Sequence, residues 1–199
     1  ASTHAGEETV AAEALSLLTA RDPRVLLVLA PRHPNRGTEI EAMLRARGLS
    51  VTRRSTGGDL TADTGVYLAD TIGELGLFYR LAPIAFIGGS LVAHGGQNPI
   101  EAIKLGVDVI HGPHVHNFKV VYKALEAGGA TRAIEDAHGL AAAIAKGFAR
   151  PEDRARRVEI ARAVCDDLGG ALQRTLEALQ IHLAPLTLAA SIARREGPR

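Results

Sequence analysis

Short apolar runs separated by longer amphipathic stretches constrain this chain more than any other feature. The runs fall at 25–30 (VLLVLA), 49–53, 65–69 (GVYLA), 84–87 within PIAFIGG, 107–110 and 130–133. The first is apolar at every position, which suits a strand covered on both faces. Helical patterns lie between them, beginning with 39–47. This alternation predicts an α/β fold, a Rossmann-like doubly wound parallel sheet of about six strands. Beyond residue 136 the pattern turns helical, with stretches at 137–148, 152–168 and 172–182 broken at Pro151 and at Gly169-Gly170. A last amphipathic stretch, 186–195, ends in Arg194 and Arg195. It reads either as a helix packed on this domain or as one that returns to brace a partner domain. The 199 residues fit one domain, 1–199, with 136–199 as its helical tail.

Charge narrows the function. With 23 basic and 22 acidic residues the net charge is +1, without the basic excess of a nucleic-acid binder. Aromatic residues make up 4% and Trp is absent, which argues against a platform for stacking bases. A lone cysteine, Cys165, permits no internal disulfide and fits a reducing compartment. It lies in a helical pattern without a histidine nearby and reads as packing rather than as a nucleophile. No apolar run approaches the ~20 residues needed to span a bilayer. The opening, Ala1 to Glu8, is polar and acidic, unlike a signal peptide, and the missing initiator Met suggests an excised or processed domain.

In an open parallel sheet, ligands bind outside the carboxyl ends of the strands. The unusual residues fall there. The first strand runs into Pro31-Arg32-His33-Pro34, the third into Asp70-Thr71-Ile72-Gly73-Glu74-Leu75, and the fourth into Gly88-Gly89-Ser90 and then His94 to Glu101. The fifth runs into Gly112-Pro113-His114-Val115-His116-Asn117. Gly88, Gly89, Gly95 and Gly96 would let backbone approach a ligand, and Asn98-Pro99 suits the start of a helix. Glu101, in the first turn of that helix, reads either as a partner for a ribose diol or as a simple acidic helix start. Arg32 reads as a phosphate clamp or as half of a surface ion pair. Gly73 and Glu74 by themselves describe a capped helix start. His33, His94, His111, His114 and His116 lack the spacing of a zinc site and read as hydrogen-bonding histidines of a cleft. No Gly-x-Gly-x-x-Gly follows the first strand and no Walker loop is present, which counts against a dinucleotide dehydrogenase and a P-loop ATPase.

Taken together, Gly88-Gly89-Ser90-Leu91-Val92-x-His94-Gly95-Gly96-Gln97-Asn98-Pro99-Ile100-Glu101-Ala102 resembles the signature of Kdo (3-deoxy-D-manno-octulosonic acid) transferases. So do Gly112-Pro113-His114-x-x-Asn117-Phe118, Pro31-Arg32-His33-Pro34 and Asp70-Thr71-x-Gly73-Glu74-Leu75. The opening Ala1-Ser2-Thr3-His4-x-Gly6-Glu7-Glu8 is similar to the start of that family's second domain. The similarity runs in order from residue 1 to about residue 123.

The resemblance implies the C-terminal, donor-binding domain of a GT-B glycosyltransferase, with the N-terminal acceptor domain outside this chain. Such enzymes move Kdo from CMP-Kdo to a lipid A precursor at the cytoplasmic face of the inner membrane during lipopolysaccharide core biosynthesis, without a metal or other cofactor. By that resemblance, Pro31 and Arg32 hold the CMP phosphate, and Ile72, Gly73 and Glu74 meet the nucleotide near its base. Asn98, Pro99, Ile100 and Glu101 bind the sugar and phosphate end, while Gly88, Gly89 and Ser90 line the donor pocket. The general base belongs to the N-terminal domain, so the expected partners are CMP-Kdo or CMP, that domain and, through it, the lipid A precursor. The isolated chain is expected to bind CMP and transfer little sugar. Two rivals remain: a GT-B transferase or epimerase acting on a UDP-sugar, and a non-catalytic nucleotide-binding or interaction module.

Overall fold

The computed structural model describes residues 1–169, 178 and 179. The helical readings at 172–182 and 186–195 lie outside the described residues, apart from 178 and 179, which are helical. In chain order the elements are α1 (Glu7–Thr19), β1 (Leu27–Leu29), α2 (Gly37–Ala46), β2 (Val51–Arg53), β3 (Val66–Leu68) and α3 (Leu75–Leu81). They continue with β4 (Ile84–Ile87), α4 (Ile100–Lys104), β5 (Asp108–His111), α5 (Lys119–Ala127), β6 (Arg132–Ala133), α6 (Ala137–Ala149) and α7 (Pro151–Asp167).

All four residues of β5 are buried, and successive side chains part to opposite faces. Val109 joins Ile87, Ile103, Leu125, Ala161 and Cys165, a core shared with α4, α5 and α7. Ile110 points the other way, into Ala14, Leu18, Leu140 and Ala141 of α1 and α6. Helices thus cover both faces, which is why its two middle residues, Val109 and Ile110, are both apolar and buried, without alternation. A third core, with Leu15, Leu29, Ile40, Leu44, Val66 and Leu68, joins α1 and α2 to β1 and β3. Full burial of each such side chain stabilises by roughly 1.5–3 kcal/mol. Cys165 is buried in the first of these cores and burial pushes its thiol up, as expected of packing.

All pairings are parallel, but the strands form two sheets of three, β1-β3-β2 and β4-β5-β6, and not one sheet of six. The reason is the segment 1–3, which lies between β1 and β4. Thr3 donates to Ala30 O at 3.3 Å and receives the Arg32 N–H at 2.9 Å, while Gly88 N donates to Ala1 O at 2.8 Å. Ala1 N in turn donates to Phe86 O at 2.7 Å. β1 is also shorter than its apolar run. At one end of that run Val25 N closes a turn onto Asp22 O, and at the other Ala30 and Pro31 are engaged by Thr3.

At the amino ends of the second sheet, Asp108 ties three elements together. Its buried carboxylate receives Arg132 Nη2 at 2.5 Å and Arg157 Nη2 at 2.7 Å. Asp136 caps α6 by accepting the Gly139 N–H at 2.7 Å, and Pro151 opens α7.

Candidate functional site

The strand order carries four loops and the segment 1–4 to the same carboxyl edge of the two sheets. The loops after β1 and β3 come from one sheet, those after β4 and β5 from the other. Each sequence-predicted donor-site residue lies on one of these loops or at the start of α4.

Arginines crowd the edge of the first sheet, and most are committed. Arg36 pairs with buried Glu8 at 2.8 Å and with Glu39 at 3.1 Å. Arg53 pairs with Asp70 at 2.5 Å, and Arg54 with Glu74 at 2.7 Å. Arg32 is different. Its backbone N–H is fixed on Thr3 O, yet its exposed guanidinium has no ion pair among the described residues. The surface-pair reading of Arg32 therefore finds no partner, whereas a phosphate would supply one.

The loop after β3 is clamped from beneath. Asp70, buried, accepts from Arg53 Nε, from Ser55 N at 2.9 Å and from Ser55 Oγ at 2.7 Å. Glu74 accepts from Arg54 Nη2 and Nε at 2.7 and 3.1 Å and from Thr71 Oγ1 at 2.5 Å. The Arg54 guanidinium, and then Thr71, hold the Glu74 carboxyl down at about 2. With that carboxylate consumed, what the turn offers a ligand is backbone and the side chain of Ile72. Ile72 is 87% exposed, far beyond what an isoleucine gains by facing water.

Gly88, Gly89 and Ser90 are buried and internally satisfied. Gly88 N bonds Ala1 O, while Gly89 N and Ser90 N bond the Glu7 carboxylate at 2.7 and 2.9 Å. Ser90 Oγ donates to Ile87 O and accepts the Gly112 N–H at 2.8 Å. A Cβ on Gly112 would come within 2.2 Å of Ser90 O, so this packing requires glycine. These three residues shape the edge but offer it no free amide.

The segment 95–101 is held on both sides. Gly96 N donates to Gly89 O at 2.7 Å and Gln97 N to Gly88 O at 3.1 Å. Gly95 adopts φ +100, and a Cβ there would overlap the Asn117 carboxamide, which donates to His94 O at 3.0 Å. Asn98 Oδ1 accepts the Ile100 N–H at 3.0 Å, while buried Pro99 occupies the cap position of α4. Asn98 thus does the capping and Glu101 does not. The exposed Glu101 carboxylate lies beside Gly76 in the first turn of α3, with no ion pair among the described residues.

The histidines divide. His33 and His94 meet around His4, with ring centroids 5.7 and 3.9 Å from it, and His4 Nε2 lies 3.1 Å from Gln97 Nε2. Burial first, then His94, lowers the His4 pKa. His111 is a core residue of β5, bonded to Gly112 O at 2.8 Å and packed at a tilt on Tyr122 at 4.6 Å, so the cleft reading does not hold for it. Among the described residues no group of three His, Cys, Asp or Glu side chains is placed to hold a metal ion. Sequence reasoning left out His4 and Glu7 as site residues. Their signal was the Ser2-Thr3-His4-x-Gly6-Glu7-Glu8 segment, used only as a marker of resemblance.

A guanidinium and a carboxylate without ion pairs among the described residues, and an exposed isoleucine on a glycine turn, all at the carboxyl edge of the two sheets, suit a phosphorylated nucleoside: phosphate on the cation, hydroxyls on the carboxylate, base against the apolar side chain. No family model matches the chain. It is 43% identical over 185 residues to the 3-deoxy-D-manno-octulosonic acid transferase of Bordetella pertussis, matching 90% of this chain and 43% of that one. It is 38% identical over 184 residues to the enzyme of that name from Haemophilus influenzae, matching 92% and 43%. The chain thus spans under half the length of these relatives. Its fold is similar to the crystal structure of the C-terminal CMP-Kdo binding domain of WaaA from Acinetobacter baumannii, with TM-score 0.79 and 35% identity over 82% of this chain and 85% of that one.

Proposed function

The chain belongs to the Kdo transferase family, and from that premise we propose that it is the donor-binding domain of a GT-B glycosyltransferase that moves Kdo from CMP-Kdo to a lipid A precursor. The carrying observation is that, among the described residues, Arg32 and Glu101 have no ion pair at the carboxyl edge of the two sheets, while Arg36, Arg53, Arg54 and Glu74 are committed. In this reading Arg32, on the rigid turn after Pro31, takes the CMP phosphate in bidentate fashion. Glu101, with Asn98, Pro99 and Ile100 before it, takes the ribose hydroxyls and the sugar end. Ile72 and the backbone of Gly73 and Glu74 meet the base. Gly88, Gly89 and Ser90 act as scaffold under the donor.

Transfer displaces CMP by an acceptor hydroxyl through an oxocarbenium-like transition state. Arg32 stabilises the negative charge that develops on the departing CMP, which lowers the barrier without a proton moving to the phosphate. The proton of the acceptor hydroxyl goes to a carboxylate of an N-terminal domain, which also holds the lipid acceptor at the inner membrane. No helix among the described residues is long and apolar enough to cross a membrane.

Calorimetric titration of the chain with CMP and with UMP tests this reading, repeated on Arg32→Ala and Glu101→Ala. The expected result is CMP bound more tightly than UMP, with affinity lost in both variants. Preference for UMP would move the assignment to a UDP-sugar enzyme, and efficient Kdo transfer by this chain alone would overturn the division of labour between domains.

A further inference from the structure

Three consecutive backbone amides converge on one buried side chain at the carboxyl edge. Glu7 is 1% exposed. Its Oε2 accepts from Gly89 N at 2.7 Å and from His4 N at 2.9 Å, and its Oε1 accepts from Ser90 N and Leu91 N at 2.9 Å each. Successive N–H groups turned to one point form the kind of nest that elsewhere holds an anion. Here the anion site is filled from within, by a carboxylate 82 to 84 residues away in sequence.

The Arg32 guanidinium and the Glu101 carboxylate hang from opposite sides of this contact. On one side Glu7 fixes the backbone at His4, and the preceding Thr3 O holds the Arg32 N–H. On the other it fixes Gly89 to Leu91, and the carbonyls of Gly88 and Gly89 hold Gln97 N and Gly96 N, immediately before Asn98 to Glu101. Movement of the loop after β4 would therefore shift Arg32 and Glu101 relative to each other. We propose that Glu7 is a positioning residue for the donor site: an internal anion that locks segment 1–4 to the loop after β4 and so fixes Arg32 and Glu101 at the spacing one nucleotide needs. The proposal rests on the donor-domain reading. It also implies that the donor phosphate binds outside this nest.

The test compares Glu7→Gln and Glu7→Ala with Asp108→Asn, which loses a buried carboxylate of the same fold at the opposite end of β5. Thermal midpoint, CMP affinity by calorimetry and amide hydrogen exchange at Gly89 to Leu91 are read on each. Glu7→Gln keeps the size of the side chain but turns an N–H donor toward other donors. CMP affinity is expected to fall roughly tenfold or more, with protection lost at those amides, while Asp108→Asn lowers the midpoint but leaves CMP affinity in place. In Glu7→Ala, added formate is expected to enter the vacated nest and restore both protection and CMP binding; if Glu7→Ala does not fold, Glu7→Gln carries the test. CMP affinity in Glu7→Gln equal to that of the parent, or lowered no more than in Asp108→Asn, would overturn the proposal and leave the donor reading standing. Failure of the parent chain to bind CMP, with protection lost in Glu7→Gln all the same, would instead sink the donor reading.

Discussion

The hydroxyl of Tyr122 donates to the carbonyl of Gln97 at 2.9 Å, linking a fully buried ring of α5 to the segment that leads into Asn98 and Glu101. Tyr122 packs at a tilt on His111, itself buried in β5, so this hydrogen bond ties the second sheet's core to the site. Burial raises the Tyr122 pKa, which keeps the phenol a donor across the accessible range.

Tyr122→Phe keeps the ring and removes only that donor. One part-buried carbonyl loses its partner, at about 1 kcal/mol, or a thermal midpoint lower by about 2–4 °C. Because the lost bond holds Gln97, CMP affinity is expected to fall severalfold as well. Calorimetry beside a thermal melt checks this; a lowered midpoint with unchanged CMP affinity would confine Tyr122 to the core.

Much of this arrangement is legible in the sequence, and the exceptions share a cause. The six strands and the carboxyl-edge loops follow from apolar runs ended by glycine, proline and histidine, signals that are local. The division into two sheets is not local. It depends on residues 1–3, too short and too polar to read as a strand, whose backbone bonds reach both Ala30 and Gly88. α1 likewise went unread. Its Glu7 looks like an ordinary acidic residue in a first helical turn, and nothing nearby tells that its carboxylate fills a loop 82 residues on. Likewise the commitment of Glu74 to Arg54 is a contact across 20 residues, invisible to spacing, and it moves the offered chemistry of that turn from carboxylate to backbone and Ile72.

Asp108→Asn tests what holds the far end of the fold. The carboxylate is wholly buried between two largely buried arginines, and removing its charge leaves Arg132 without its counter-ion and Arg157 with only the more distant Asp153. Breaking one partner out of such a buried cluster costs about 3–5 kcal/mol. Urea unfolding is expected to show a loss of that order with the slope unchanged. A loss below about 1 kcal/mol would mean that Arg132 and Arg157 are solvated well enough to do without the pair.

Stability is also expected to fall on mild acidification, and His111 gives the sign. Burial, against the opposing pull of its bond to Gly112 O and of Glu126 at 3.6 Å, lowers its folded pKa below the ordinary 6.5. The folded state therefore binds fewer protons than the unfolded chain in the window between that lowered value and about 6.5, so stability there rises with pH. The contribution is complete above about 6.5, shrinks as pH falls through the window and levels off below the folded value. His4, lowered by burial and by His94, adds in the same direction. Asp70 acts lower still. Its burial opposes ionisation, but Ser55 and Arg53 together outweigh that and lower its pKa, so its contribution is present above the ordinary carboxylate range and lost as pH falls through its folded value. Unfolding free energies by urea at several pH values between about 5 and 8 would show the histidine step. His111→Gln, which carries no charge at any of these pH values, is expected to flatten part of it. An equally steep step in that variant would trace the acid sensitivity to His4 and its neighbours at the site, away from the core of β5.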